Sequence, residues 1–210
     1  MDRFERFAAE LQVLTPFRIR YKEEAWEMQI LQALIGWFCP GFLTRFTTVI
    51  GTTVYFPNRS YIEQYPEAAM QTLAHEAVHL IDAEKISWPV FAMGYLFPQI
   101  LSLGVFSFPW LGAWSLLFLL FLLPIPSPFR ARFESRAYAL DLLTHRPESR
   151  DQVLFHAVEQ FQGWNYYKMY PFPDACSDQI QYWEQAIENG TEQSLLNILL
   201  VYEWVLETQH

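Results

Sequence analysis

Basic residues are scarce in this chain. Its 14 lysines and arginines stand against 23 aspartates and glutamates in 210 residues, a net charge of −9. A phosphate backbone needs a basic field to bind to, so nucleic acid is excluded as a partner. Cysteine is scarcer still. Cys39 and Cys176 match neither zinc-ribbon nor thioredoxin spacing; one disulfide can be drawn, but two reduced thiols in a cytoplasm-facing protein are the expectation. The 8 glycines build no phosphate-cradling loop, and there is no internal repeat or low-complexity tract. The N-terminal M-D-R-F-E-R-F-A-A-E has no apolar core and no cleavage site, so no signal peptide is expected. The most conspicuous lack is local: from Trp88 to Phe129 there is no Lys, Arg, Asp, Glu or His.

Apolar residues make up 52% and aromatics 18% of the chain. Both shares exceed what a soluble domain of this size usually carries, so part of that surface is expected to meet lipid or a partner. The length suits one domain with a full core, with or without an appendage.

The stretch that concentrates chemistry is Thr72 to Asp82, T-L-A-H-E-A-V-H-L-I-D. On a helix of about 3.6 residues per turn, His75 and His79 share one face, with Glu76 beside them. Two neutral imidazoles hold Zn²⁺ in this way, and the neighbouring carboxylate takes a proton from a zinc-activated water. The surrounding residues favour a helix. Pro66 suits a first turn, Glu67 favours the positive end of the dipole, and no Gly or Pro interrupts Glu67 to Ser87. Met70, Leu73, Ala77, Leu80 and Glu84 form a mostly apolar stripe, whereas Thr72, His75, His79 and Asp82 form a separate polar face.

Such a site needs a third protein ligand and an open position. Phe129 to His145 reads as a helix on which Phe133, Ala137 and Leu140 make an apolar stripe, while Glu134, Tyr138, Asp141 and His145 share another face. Glu134 is the expected ligand. Asp141 is the second candidate, or else a carboxylate that orients a ligand imidazole, a role for which Asp82 competes. Tyr138 is a candidate phenolic donor to a developing oxyanion.

The charge-free stretch has the length for two crossings, since a helix needs roughly 20 apolar residues to span a hydrocarbon core. Pro89, Pro98 and Pro109 divide it, and Ser107-Phe108-Pro109 is the natural bend between arms Trp88–Phe106 and Trp110–Leu123. Trp88, Phe91, Phe108, Trp110 and Trp114 gather toward the ends and the bend, as interfacial anchors do. The expectation is a helical hairpin in a bilayer, crossing twice or re-entering from one face; the other reading packs it into an apolar groove of a partner subunit. Arg130, Arg132 and Arg136 would keep its end on the cytoplasmic side.

The remaining chain reads mainly as helical scaffold. Phe4, Phe7, Leu11 and Leu14 describe a first helix ending before Pro16, and Lys22 to Phe38 a second, ending at Cys39-Pro40-Gly41. Thr44 to Phe56 is β-prone, as two short strands turning at Gly51 or one strand bulged there. It either lies along the cleft as an edge to which a peptide adds, or roofs the helices. Asp151–Gln162, Asp178–Asn189 and Glu192–Glu207 are expected helices, and His156 is expected to be structural. The Asn165–Pro173 loop, rich in tyrosine, is either a binding rim or an ordinary loop pinned by its prolines.

With His75-Glu76-x-x-His79 followed by Glu134 on a later helix, the chain resembles the gluzincin metallopeptidases, including the minimal gluzincins. V-I-G-T-T-V-Y-F-P is similar to their edge-strand region. A hydrophobic hairpin between the zinc helix and the glutamate helix is similar to the integral-membrane heat-shock and CAAX-processing zinc proteases. The resemblance spans about residues 44–145 and implies a Zn²⁺ site of His75, His79 and Glu134, with Glu76 as general base and peptide hydrolysis at the membrane face. Those membrane proteases carry an Ala-Asp pair soon after the glutamate, where this chain has Tyr138 and only later Asp141.

The expected fold is mainly α (α+β): a zincin-like helical metallopeptidase core with a small β element. It forms a single domain over 1–210, with residues 88–129 inserted between the two ligand helices. The expected activity is hydrolysis of a peptide or protein substrate by a membrane-associated enzyme whose catalytic part faces the cytoplasm. The reading of a different class is a membrane-anchoring or assembly protein with a structural or relic zinc site, in which Asp141, Asp82 or His145 would close the fourth position.

Overall fold

Helices dominate, as the periodicity predicts, with one small sheet among them. The computed structural model describes residues 2–35, 42–45, 47–164 and 168–208. In chain order these are α1 (Arg3–Leu14), β1 (Arg18–Tyr21), α2 (Trp26–Ile35), α3 (Phe42–Arg45), β2 (Thr48–Ile50), β3 (Thr53–Phe56), α4 (Arg59–Gln64) and α5 (Pro66–Ile86). They continue with α6 (Trp88–Leu96), α7 (Phe108–Leu111), α8 (Pro128–Thr144), α9 (Arg150–Gln162), α10 (Pro173–Glu188) and α11 (Gln193–Glu207). The chain divides into two compact units, Met1–Ile81 with Gln193–His210, and Asp82–Glu192. The division falls inside α5, a single uninterrupted helix.

In the first unit, α1 starts on a capping box. Asp2 accepts from the Glu5 amide at 2.7 Å, and the Glu5 carboxylate accepts from the Asp2 amide at 3.3 Å, satisfying donors that a helix start otherwise leaves open. Its buried face, Phe4, Phe7, Ala8 and Leu11, packs on α11; Phe7 meets Tyr202 edge-on at 5.7 Å. Leu195, Ile198, Leu199 and Val205 are also buried, so α11 is a core helix.

The sheet order is β1-β3-β2, with β1 parallel and β2 antiparallel to β3. Of the two sequence readings, the hairpin turning at Gly51 is realised. Gly51 has φ 58°, a conformation that favours glycine. The strand just ahead of α5 is not an edge: β3 is bonded on both sides, and the open edges belong to β1 and β2. Strand β1 is an addition to the sequence reading, since its partner β3 lies more than 30 residues away and nothing local marks the pairing. It also delays α2, because the Lys22 amide still bonds the Phe56 carbonyl at 2.8 Å. The expected end of α2 at Phe38, and Cys39 with it, lies outside the described residues.

In the second unit α8 is the centre, packed against α6, α9 and α10. Cys176 on α10 is a buried free thiol, pushed up to about 11 by burial. His156 is exposed, with Nε2 at 3.2 Å from Gln160.

The hydrophobic stretch is shorter as a hairpin than the sequence suggests. α6 belongs to the packed unit: Phe91 is buried against Phe133 at 4.7 Å between ring centroids, and Gly94 lies beside the same ring. The projecting part consists of two 3₁₀ arms, Gln99–Ser107 and Gly112–Leu122, packed on each other and joined through α7. The reversal uses Gly112 at φ 53°. A Cβ at Gly104 would stand 2.4 Å from the Phe118 ring, so glycine is what lets the arms approach. At the feet, Ser127 Oγ donates to the Phe97 carbonyl, and Gln99 Nε2 donates to that of Ile125 at 3.1 Å. The Ser127 amide donates to the Met169 carbonyl at 2.8 Å. That bond ties the tyrosine-rich loop, whose residues 165–167 lie outside the described residues, to the base of the hairpin.

Gly104→Ala is expected to cost the arm packing about 1–3 kcal/mol through overpacking. Limited chymotrypsin digestion in detergent reads this as faster cleavage between residues 101 and 122. Wild-type cleavage rates in the variant would refute the close packing of Gly104 on Phe118.

Candidate metal centre

His75 and His79 sit one turn apart on α5, their ring centroids 5.2 Å apart and the planes at 79°. Around them the helix is sequestered, since every residue from Ala77 to Ala83 is buried. The face read from the sequence as polar is therefore not a solvent face: His79 keeps 5% of its surface and His75 is half-buried. The Met70-Leu73-Ala77-Leu80 stripe is buried as expected, and Glu84 is exposed. Glu134 on α8 is 1% exposed.

One ligand atom from each of His75, His79 and Glu134 lies within 4.8 Å of the others. Two imidazoles and a carboxylate are a donor set that Zn²⁺ accepts, with room for a further ligand. Among the described residues, this is the one group of three or more His, Cys, Asp or Glu side chains so arranged; Asp82, Asp141 and His145 are not in it. Glu76, adjacent to His75, is half-buried.

The other residues singled out in the sequence have different surroundings. Asp82 Oδ1 lies 3.2 Å from Arg136 Nη2, and Arg136 also makes a two-pronged pair with Glu192 at 3.1 and 3.2 Å. The guanidinium is 4.6 Å above the Trp183 ring. Burial raises the Asp82 carboxyl above its ordinary value, and Arg136 opposes that rise. Arg136 is thus an internal counter-ion rather than a membrane-facing charge, which leaves Arg130 and Arg132 at the end of the hairpin. The Asp141 carbonyl accepts from His145 Nδ1 at 2.7 Å. The Tyr138 ring lies 5.7 Å from that of Phe161.

Tyr95 is a site residue that the sequence reading did not name. Its hydroxyl donates to Glu134 Oε1. Phe91 stacks on its ring at 5.7 Å, and the Arg130 guanidinium lies 4.8 Å from the ring centroid. The available signal was its isolation, as the single tyrosine between Trp88 and Phe129.

Arg136→Met should destabilise the fold by about 3–5 kcal/mol near neutral pH, by stranding Asp82 and Glu192. Without Arg136 the raised Asp82 value rises further, so the folded chain holds a proton that the unfolded chain releases at its ordinary carboxylate range. Stability from that proton is present in acid and lost as pH climbs through the folded value. Urea unfolding of variant and wild type should therefore show a smaller deficit at about pH 5 than at about pH 7.5. Equal deficits would remove Asp82 from the account.

Compared with known proteins, the chain matches no family model, no curated protein and no solved structure.

Proposed function

We propose that this chain is a membrane-associated zinc metallopeptidase with its catalytic part on the cytoplasmic side. The observation that carries the reading is that ligand atoms of His75, His79 and Glu134 lie within 4.8 Å of one another, with the carboxylate of Glu76 next to His75 in the sequence. A three-donor set leaves a position open, as a hydrolytic site requires and a closed structural site does not.

Bound there, zinc would supply Lewis-acid chemistry, polarising a peptide carbonyl and letting water lose a proton near neutral pH. The chain's own residues divide the rest. His75, His79 and Glu134 hold the ion. Glu76 accepts the proton of the attacking water and passes it to the leaving amine nitrogen, the two halves of general base and general acid catalysis. The burial of His79 and Glu134 keeps competing water away from the ligands.

For the membrane part, support comes from exposure as well as composition. Phe106, Phe108, Trp110 and Trp114 are 74%, 56%, 82% and 74% exposed, on a stretch with no ionisable side chain to hydrate. The segment Gln99–Leu122 is 24 residues long and apolar enough to cross a membrane by length and composition. Folded back on itself at about 2.0 Å per residue, each arm reaches only about 18–22 Å. A hydrocarbon core is about 30 Å thick. We therefore read a hairpin that re-enters one leaflet, with Arg130 and Arg132 at its foot on the cytoplasmic side.

Elemental analysis of detergent-purified protein should find about one zinc per chain in wild type and in Glu76→Gln. It should find none in His79→Ala or Glu134→Ala. Glu76→Gln should lower cleavage of a peptide library by about 10²-fold or more. Undiminished cleavage would overturn the enzyme reading; zinc in every variant would relocate the metal. For the hairpin, lipids brominated at shallow and at mid-chain positions should quench Trp110 and Trp114 fluorescence in vesicles. A monomer that stays soluble without detergent and shows no quenching would overturn the membrane reading.

A further inference from the structure

We infer that Tyr95 is a positioning residue that fixes the Glu134 carboxylate as a metal ligand. The inference rests on the zinc reading of the site and concerns a residue outside the His-Glu-x-x-His pattern. A glutamate has a soft terminal torsion, so a buried carboxylate without a directional partner samples many rotations of its two oxygens. The Tyr95 hydroxyl removes that freedom by donating to Oε1. With Oε1 held, the carboxylate plane is set and Oε2 presents in a defined direction.

Tyr95 can do this because its ring is itself packed, by Phe91 on its own helix and by Arg130 on α8. Phe91, one turn earlier on α6, stacks on the ring with planes at 29°. Arg130, one turn before Glu134 on α8, lies 4.8 Å from the ring centroid. That placement brings a positive charge close to the phenol. Beneath them, α6 and α8 meet through Phe91 on Phe133 and through Gly94, where a Cβ would stand 3.4 Å from the Phe133 ring. The register of the two helices, and with it the reach of the hydroxyl to Oε1, is thus set by packing. A hydrogen-bonding partner behind a metal ligand is worth about 10–100-fold in metal affinity where it has been removed.

The variant that isolates the hydroxyl is Tyr95→Phe, which keeps the ring and its contacts with Phe91 and Arg130. Zinc affinity is measured on the full-length, detergent-purified chain by competition with a chromogenic chelator, beside thermal unfolding of the metal-free protein. The expected result for Tyr95→Phe is about one zinc per chain, bound about 10–100-fold more weakly than by wild type, with the metal-free unfolding temperature little changed. Wild-type affinity in Tyr95→Phe, with zinc lost in Glu134→Ala, overturns the role of Tyr95 and leaves the metal site standing. A lowered unfolding temperature without a change in affinity also overturns it, because the hydroxyl would then serve the fold alone. A wild-type chain that takes up no zinc overturns the metal reading and this inference together.

Discussion

A carboxylate in the interior of the second unit is the constraint around which its central helices are arranged. Glu134 keeps 1% of its surface, and a charge so placed costs several kcal/mol unless hydrogen bonds and opposite charges replace the water it has lost. Two helices contribute to that environment. The last turn of α6 brings the Tyr95 hydroxyl to Oε1, and the first turn of α8 brings Arg130 over the Tyr95 ring. Small residues make that meeting possible: Gly94 lets α6 come within van der Waals contact of Phe133. Packing and polarity thus specify the same helix register.

Two residues further along α8, Arg136 faces a different environment. Side chains two apart on a helix are about 200° apart in direction, so Glu134 and Arg136 cannot share partners. Arg136 instead draws in Asp82, Glu192 and the Trp183 face. Asp82 remains the weaker member, since burial raises its carboxyl despite the guanidinium beside it.

The hairpin represents the opposite regime. Its arms bury little beyond Ser115 and the Gly104–Phe118 approach, and its large side chains point outward. Water does not stabilise such a surface, whereas hydrocarbon does. The closure of the feet at Phe97, Ser127 and Met169 joins this apolar projection to the same unit that holds Glu134 and Tyr95.

Much of this was legible in the sequence because it is local. Helix α5 follows from an uninterrupted run behind Pro66, the His75–His79 pairing from a four-residue spacing, the bend near Phe108-Pro109 from proline, and the Gly51 turn from glycine between β-prone segments. The mainly helical fold with one small sheet follows from the same periodicities. What tertiary structure decided is everything that needs two distant segments to meet. Strand β1 exists only because β3 pairs with it in parallel. Asp82, expected to serve a ligand imidazole, lies against Arg136, and Arg136, expected near a membrane surface, lies inside. Tyr95 looked like one more residue of an apolar hairpin until α6 packed on α8 and placed its hydroxyl on Glu134. Periodicity reports which face of a helix is apolar; it carries no information about which buried polar group stands opposite, because that partner is chosen by packing between helices far apart in the chain.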